Sequence, residues 1–305
     1  MEYTSSPDKI TREYFDSLLL ETRYLNSDLP TTEVEIFGHV FSTPIMTAAL
    51  SHLGSRGKES ASFIEHKAKD GMIVYAQAAA RSNTLHWVGM GDDQELEDIV
   101  ATGAKAVKVI KPHADNAEVV RKIRHAVRTG CVAVGMDIDH AYNGRGGYDS
   151  VFGMPMRPKT TAEIRSYVEA AEVPFVVKGV LSVQDAVRCA EAGCKGIVVS
   201  HHHGMMVYSV PPLLILEDIV KSVGKELDIF VDCGIVSGMD AYKCLALGAK
   251  AVSVGRHLMP LIKQGPEAVA ARIDQMTCEL ADVMARTGVR DLSQMDPSVI
   301  HHRCF

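Results

Sequence analysis

The sequence predicts an α/β fold of one particular kind, a (β/α)8 (TIM) barrel spanning residues 1–305 as a single domain. Two observations carry that prediction. Eight apolar runs rich in Val, Ile and Ala recur at 44–50, 71–77, 106–112, 131–139, 174–180, 196–202, 228–235 and 251–259. Stretches with helical spacing separate them, as at 114–129, 161–171, 183–192, 239–247 and 266–286. The runs are nearly continuous in hydrophobicity, the pattern of parallel strands covered on both faces. Eight such alternations within one domain length indicate a barrel over an open sheet. A doubly wound sheet would also open with a Gly-x-Gly-x-x-Gly turn, and the first strand turn, Leu50-Ser51-His52-Leu53-Gly54, lacks it.

Local chemistry marks the element ends. Ser182 stands three residues before Asp185, the spacing of a helix N-cap, and Gly193 ends that helix. Gly103, Gly130, Gly193 and Gly248 each fall shortly before a new strand, where a left-handed helix terminus favours a residue without a Cβ. Residues 1–40, with Phe15, Leu18, Leu19 and Leu20 in a helical stretch, are expected to cap the bottom of the barrel.

The bulk properties narrow the function. With 47% hydrophobic residues the chain can bury a large core, and a net charge of -6 without a long run of one sign argues against a nucleic-acid partner. No stretch approaches the roughly 18 apolar residues of a membrane span. The seven cysteines, at 131, 189, 194, 233, 244, 278 and 304, form no Cys-x-x-Cys pair and read as reduced thiols of a cytoplasmic protein. A cytoplasmic, homo-oligomeric enzyme acting on a small molecule is the expectation.

In a barrel, function gathers where strands end. Five exits are polar: Asp137-Ile138-Asp139-His140, Lys178-Gly179, Ser200-His201-His202-His203-Gly204, Asp232-Cys233-Gly234 and Gly255-Arg256. The last two suggest a phosphate, because glycines allow close backbone approach and Arg256 offers a forked donor. On these residues alone, turn-forming glycines and a surface-paired arginine remain an equal reading.

From Pro174 to about Ile300 the sequence resembles the FMN-dependent α-hydroxy-acid oxidases and dehydrogenases. The matching words are Val176-Val177-Lys178-Gly179-Val180, Gly196-Ile197-Val198-Val199-Ser200, Asp232-Cys233-Gly234 with Gly238-Met239-Asp240, Lys243-Cys244-Leu245-Ala246-Leu247-Gly248-Ala249, and Gly255-Arg256. The N-terminal half matches mainly at Phe15 to Leu25 and Pro44-Ile45-Met46. The resemblance implies FMN as cofactor, with Lys178 beside the flavin N1–C2 carbonyl edge and Asp232, Gly234, Gly255 and Arg256 holding the ribityl phosphate. Ser200, Lys108 and Gln77 are further implied cofactor contacts. The family's Ser-Asn-His-Gly becomes Ser200-His201-His202-His203, which makes His202 the base, a role suited to a group that titrates near neutrality. A strand-4 carboxylate orients that base in the family; Asp137 fits by alignment and Asp139 is close behind.

The departures concern the substrate. Met205 stands where the family's carboxylate-binding arginine follows the base, and the family's early tyrosine has no counterpart here. Losing a bidentate arginine removes charged hydrogen bonds worth about 1.5–3 kcal/mol each. Arg145 either matches a second carboxylate-binding arginine or is a solvated loop residue. The loop 146–159 is shorter than the family's lid, Lys108 sits near a family glutamine, and Val236 replaces an arginine.

Three consecutive histidines also raise a metal, but on a strand only His201 and His203 share a face, and no neighbouring Cys or carboxylate in the sequence completes a ligand set. No metal is therefore expected. The leading expectation is an FMN-dependent oxidoreductase in which His202 abstracts a proton from a 2-hydroxy acid or related alcohol while hydride passes to flavin. The alternatives are an FMN enzyme without net redox, like the type 2 isopentenyl diphosphate isomerases, and a non-catalytic barrel that binds a phosphorylated ligand.

Overall fold

The computed structural model describes residues 5–53 and 70–303. Eight parallel strands close into the expected barrel: β1 Ile45–Leu50, β2 His86–Val88, β3 Ala106–Ile110, β4 Ala133–Asp137, β5 Phe175–Val180, β6 Gly196–Val199, β7 Asp228–Val231 and β8 Ala251–Val254. β8 returns to β1 through the pairs Val252 with Ile45 and Val254 with Thr47. Around the strands lie the helices α2 Gly71–Arg81, α3 Asp93–Ala101, α4 Asn116–Thr129, α5 Thr161–Ala171, α6 Val183–Glu191, α7 Pro212–Val223, α8 Gly238–Ala246 and α9 Pro266–Arg286, with α1 Pro7–Ser17 ahead of the barrel.

The local signals act as their chemistry requires. The Ser182 hydroxyl accepts from the Asp185 N–H, and Gly193 follows with φ +88°. One apolar run was assigned the wrong element. Residues 71–77, expected as the second strand, lie in α2, and the strand is the three-residue segment His86–Val88. A short apolar run does not distinguish a buried strand from a buried helix. Here Ala76, Ala78, Ala79 and Ala80 favour the helix, and Met72, Tyr75, Ala76 and Ala79 are buried at helical spacing. The runs 44–50 and 174–180 end with their strands, whereas 106–112, 131–139, 196–202, 228–235 and 251–259 overshoot at their C-terminal ends, where the chain leaves the sheet.

Two apolar layers hold the barrel. Inside, Met46, Trp87, Val107, Ala133, Val176, Val198, Phe230 and Ala251 form one cluster, joined by Val34, Ile36 and Phe41 of an antiparallel hairpin (Val34–Ile36 with His39–Phe41). Most of these are the first or second residues of their strands, so the hairpin closes the N-terminal end. Phe230 is the hub, edge-on to Trp87 at 5.5 Å and to Phe37 at 5.8 Å. Outside, the alternate residues of each strand pack beneath the helices.

The N-terminal segment divides between two places. Leu18–Leu20 is not helical: it pairs antiparallel with Ile300–His302. α1 reaches the opposite end of the barrel from the hairpin, since a Cβ on Gly234 would meet Thr11 at 2.8 Å and one on Gly204 would meet Pro7 at 3.0 Å. Among the described residues no helix is long and apolar enough to cross a membrane. Phe230→Ala should lower the unfolding free energy by about 3–5 kcal/mol in urea titrations; a loss below about 1 kcal/mol would show that this cluster does not anchor the barrel.

Candidate functional site

The exits of β4 to β7 converge on one charged cluster. Lys178 is the registered neighbour of Asp137 across β5 and β4, so both side chains rise on the inner face at the same level. The Lys178 ammonium lies 3.4 Å from Asp137 Oδ1, 3.5 Å from Asp232 Oδ2 and 3.5 Å from the Ser200 hydroxyl. Lys111, just past β3, reaches the other oxygen of Asp137 at 2.6 Å. All four charged groups are nearly buried, which is sustainable because each faces an opposite charge.

His202 is set into this cluster by a strained turn. Its φ of +45° and that of His203, +58°, lie in the left-handed region that side chains with a Cβ avoid. The Ser200 hydroxyl holds the turn by accepting from the His202 N–H at 3.0 Å. The ring is thereby presented to strand 4: Nδ1 donates to Asp139, 2.9 Å from Oδ1, and lies 3.2 Å from Asp137 Oδ1. Gly179, at φ +87°, makes room, since a Cβ there would sit 2.6 Å from the Asp139 carboxylate. Lys178 Nζ is 3.3 Å from the same Nδ1, and Asp137 Oδ1 lies between these two donors.

The charges tune one another. Burial opposes the charge on His202, but Asp137 and the two carboxylate hydrogen bonds outweigh it and hold the imidazole protonated above its ordinary range. Burial likewise opposes charge on Asp137, yet His202, Lys111 and Lys178 keep it ionised far below the usual carboxylate range. Asp139 is pushed upward by burial and by Asp137. Lys178 stays charged because Asp137, Asp232 and Asp139 overcome its desolvation.

Several expected residues lie elsewhere. Gln77 is on the exposed side of α2, outside the barrel, because its segment is helix. Lys108 points to the outer face of β3, where its ammonium meets the Gly89 carbonyl at 2.5 Å and burial lowers its pKa to about 8. Strand alternation places Val107, Val109 and then Lys111 on the inner side, so Lys111 is the strand-3 cation at the site. Arg145 is exposed in the 143–147 loop, where its N–H bonds Asn143, and Met205 is 42% exposed. Among the described residues no hydrogen bond or ion pair ties the Arg145 guanidinium to the cluster.

Two groups at the strand exits, His140 and Asp8, are not among the expected site residues. His140, in the single turn Ile138–Ala141 after β4, brings its Nε2 to 3.1 Å from His202 Nε2, with the rings edge-on at 4.4 Å. The strand-8 arginine is engaged by α1: Arg256 donates both terminal nitrogens to Asp8, at 2.7 and 2.9 Å, and His203 Nδ1 lies 2.8 Å from the same carboxylate. Contrary to expectation, the strand-4 exit does bring a ligand-type set to the histidines. Asp137, Asp139, His140 and His202 hold ligand atoms within 4.8 Å of one another, carboxylates that the linear sequence around the histidines does not reveal. In the structure these groups satisfy one another.

A cavity of about 350 Å³ opens around the end of β3, lined by Met90, Phe152 and Met154 and by the cations Lys108, Lys111 and Lys122; of the charged cluster, Lys111 alone borders it. This is the size range of small-molecule pockets.

Residues 6–170 and 156–302 match the family model described as FMN-dependent dehydrogenase. A peroxisomal (S)-2-hydroxyacid oxidase of Arabidopsis thaliana is 28% identical, over 83% of this chain and 76% of that protein. A 4-hydroxymandelate oxidase of Amycolatopsis orientalis is also 28% identical, over 85% of this chain and 79% of its own length. Among solved structures, a mandelate oxidase Tyr-to-Phe mutant carrying a monooxide FMN adduct superposes with a TM-score of 0.83 at 27% identity, covering 98% of this chain and 92% of that one.

Asp137 is the leading electrostatic cause of the raised His202 pKa. Asp137→Asn should therefore let His202 lose its proton at lower pH, as read by histidine-ring NMR titration. An unchanged or higher midpoint would mean that Asp139 alone holds the imidazolium.

Proposed function

Because the chain belongs to the family of FMN-dependent dehydrogenases, we propose that it oxidises a 2-hydroxy acid, with His202 as the base that removes the substrate proton. The observation that carries this reading is the His202 imidazole held by Asp137 and Asp139 within reach of Lys178.

The residues present fit FMN. At the exits of β7 and β8, Gly234 at φ +76° packs against Thr11 and Phe15 and Gly255 against Ala48, and the Arg256 fork already grips an oxyanion in two-point fashion, the Asp8 carboxylate. A phosphate presents oxygens of the same kind to that fork. Arg256, Gly234, Gly255 and Asp232 would hold the ribityl phosphate. Lys178, kept cationic by its carboxylates, suits the flavin edge that becomes negative on reduction, and Ser200 adds a hydroxyl beside it. Bound FMN supplies the acceptor for the hydride.

The protein's own part is proton chemistry and placement. Nδ1 of His202 is occupied by carboxylates, so the substrate proton would be taken at Nε2, in the position that His140 Nε2 now holds at 3.1 Å. The resulting imidazolium is stabilised by Asp137 and Asp139. With Met205 in place of an arginine, Lys111 is the cation bordering both the cluster and the cavity, and it is assigned to the substrate carboxylate. The apolar walls Met90, Phe152 and Met154 would take the substrate side chain.

We place the enzyme in the cytoplasm as a homo-oligomer. Free thiols such as Cys131, Cys189 and Cys194 suit a reducing compartment. Met205, Met206, Val207, Tyr208 and Val210 expose an apolar surface of the kind a second copy covers.

The purified protein should be yellow and bleach anaerobically with a 2-hydroxy acid. Colourless protein that cannot take up FMN, or full activity without any electron acceptor, would overturn the reading. His202→Asn should lower kcat by about 10²–10⁴-fold. Arg256→Met should weaken FMN binding roughly tenfold to a hundredfold in flavin fluorescence titrations, the worth of a charged hydrogen bond. Because the base must be unprotonated and its pKa is raised, flavin reduction should climb with pH above the ordinary histidine value of 6.5; a rate falling over that range would exclude His202 as the base.

A further inference from the structure

One face of α1 is laid across the exits of β6, β7 and β8. Asp8, Thr11, Arg12 and Phe15 follow the i, i+3, i+4, i+7 spacing that places side chains on one side of a helix. Each meets the barrel. The Thr11 hydroxyl lies 2.9 Å from His201 Nε2, and Thr11 and Phe15 together fill the space in front of Gly234. Arg12 holds the buried Asp240 of α8 with two nitrogens, at 3.0 and 3.1 Å. Asp8 ends the row, where Arg256 donates to it twice, at 2.7 and 2.9 Å, and His203 Nδ1 lies 2.8 Å away.

The two ends of this row are held differently. Thr11 and Phe15 are buried, and Lys243 donates to the Phe15 carbonyl at 2.7 Å, so the second half of α1 is fixed to the barrel. The Asp8 side chain is 35% exposed, and its partners Arg256 and His203 are 46% and 56% exposed. Asp8 can therefore rotate into solvent while the helix stays docked. Two-point geometry makes the Asp8–Arg256 pair stronger than an ordinary surface ion pair, and its exposure keeps it exchangeable.

We infer that Asp8 is an internal competitor for the phosphate seat at Arg256, and that it sets how strongly the chain prefers a phosphorylated flavin. This rests on the FMN reading given above. Both terminal nitrogens of Arg256 are taken by the Asp8 carboxylate. A flavin that brings a phosphate must displace that carboxylate to reach the fork, whereas riboflavin, which has no phosphate, need not. The apparent FMN affinity is then the intrinsic affinity reduced by the fraction of chains in which the seat is vacant. Asp8 thereby narrows the gap between FMN and riboflavin.

Flavin fluorescence titrations of the full-length chain freed of flavin separate competition from structure. Asp8→Asn keeps the shape of the side chain and removes its charge. It should tighten FMN binding about tenfold and leave riboflavin within about threefold of wild type. Asp8→Ser, small and uncharged, should give the same tightening. In an Arg256→Met background, Asp8→Asn should change FMN affinity by less than about threefold, because the contested seat is gone. An FMN affinity unchanged or weakened by Asp8→Asn would overturn the competition and make Asp8 an ordering partner of Arg256. An equal gain for riboflavin would overturn it as well, since the effect would not depend on phosphate.

A second readout needs no flavin. Compared with sodium chloride at matched ionic strength, inorganic phosphate should raise the melting temperature of Asp8→Asn more than that of wild type. Asp8→Asn with Arg256→Met should lose that extra gain. An equal response of wild type and Asp8→Asn, or a gain that survives Arg256→Met, rejects Asp8 as the occupant of an anion seat. If no variant takes up FMN, the flavin reading fails, while the phosphate comparison still decides whether Asp8 contests Arg256.

Discussion

The pairing of Lys178 with Asp137 across adjacent barrel strands is the interaction on which the site depends. Two buried opposite charges in register place an ammonium and a carboxylate at the top of the barrel axis, and neither could be buried alone. Each further member is recruited by that pair. Lys111 neutralises the second Asp137 oxygen, Asp232 balances Lys178 from strand 7, and His202 is charged because Asp137 cannot be protonated. Breaking a buried pair on one side costs more than the pair contributes, because the partner is left unpaired. The cluster is therefore a unit whose members cannot be exchanged singly.

The backbone at the strand-6 exit shows a local cost accepted for geometry. Two consecutive left-handed histidines are unfavourable by about 1–2 kcal/mol each; a serine hydroxyl and the carboxylates at the strand-4 exit hold His202 there, and Asp8 holds His203. The strain turns the imidazole across the barrel mouth towards strand 4, with one nitrogen on carboxylates and the other directed at His140. Gly179 serves the same end from strand 5, since any side chain there would expel Asp139.

The strand-8 exit differs from the charged cluster in how its anion is supplied. Asp8, carried by the N-terminal helix, sits on Arg256, and burial that would favour its neutral form is overcome by Arg256 and His203, which hold it at about 2. An arginine fork kept occupied by an internal carboxylate stays ordered and directed towards the strand-7 and strand-8 exits. FMN would have to displace a carboxylate there, and no second arginine assists at Val236.

The sequence by itself determined the barrel, the helix caps and the identity of His202, Asp137, Asp139, Lys178, Asp232 and Arg256 as exit residues. These follow from apolar runs, cap spacing and short words, all of which are local. Its one misplaced strand, 71–77, was a segment whose composition suits either element, and Gln77 went with it. The tertiary structure decided what depends on direction and register: that Lys111 faces inward while Lys108 faces the helices, that His140 meets His202, and that Asp8 reaches Arg256 across the length of the chain. A one-residue change of phase reverses the face of a strand side chain, and no linear spacing reports which residues of different strands stand side by side once the barrel has closed.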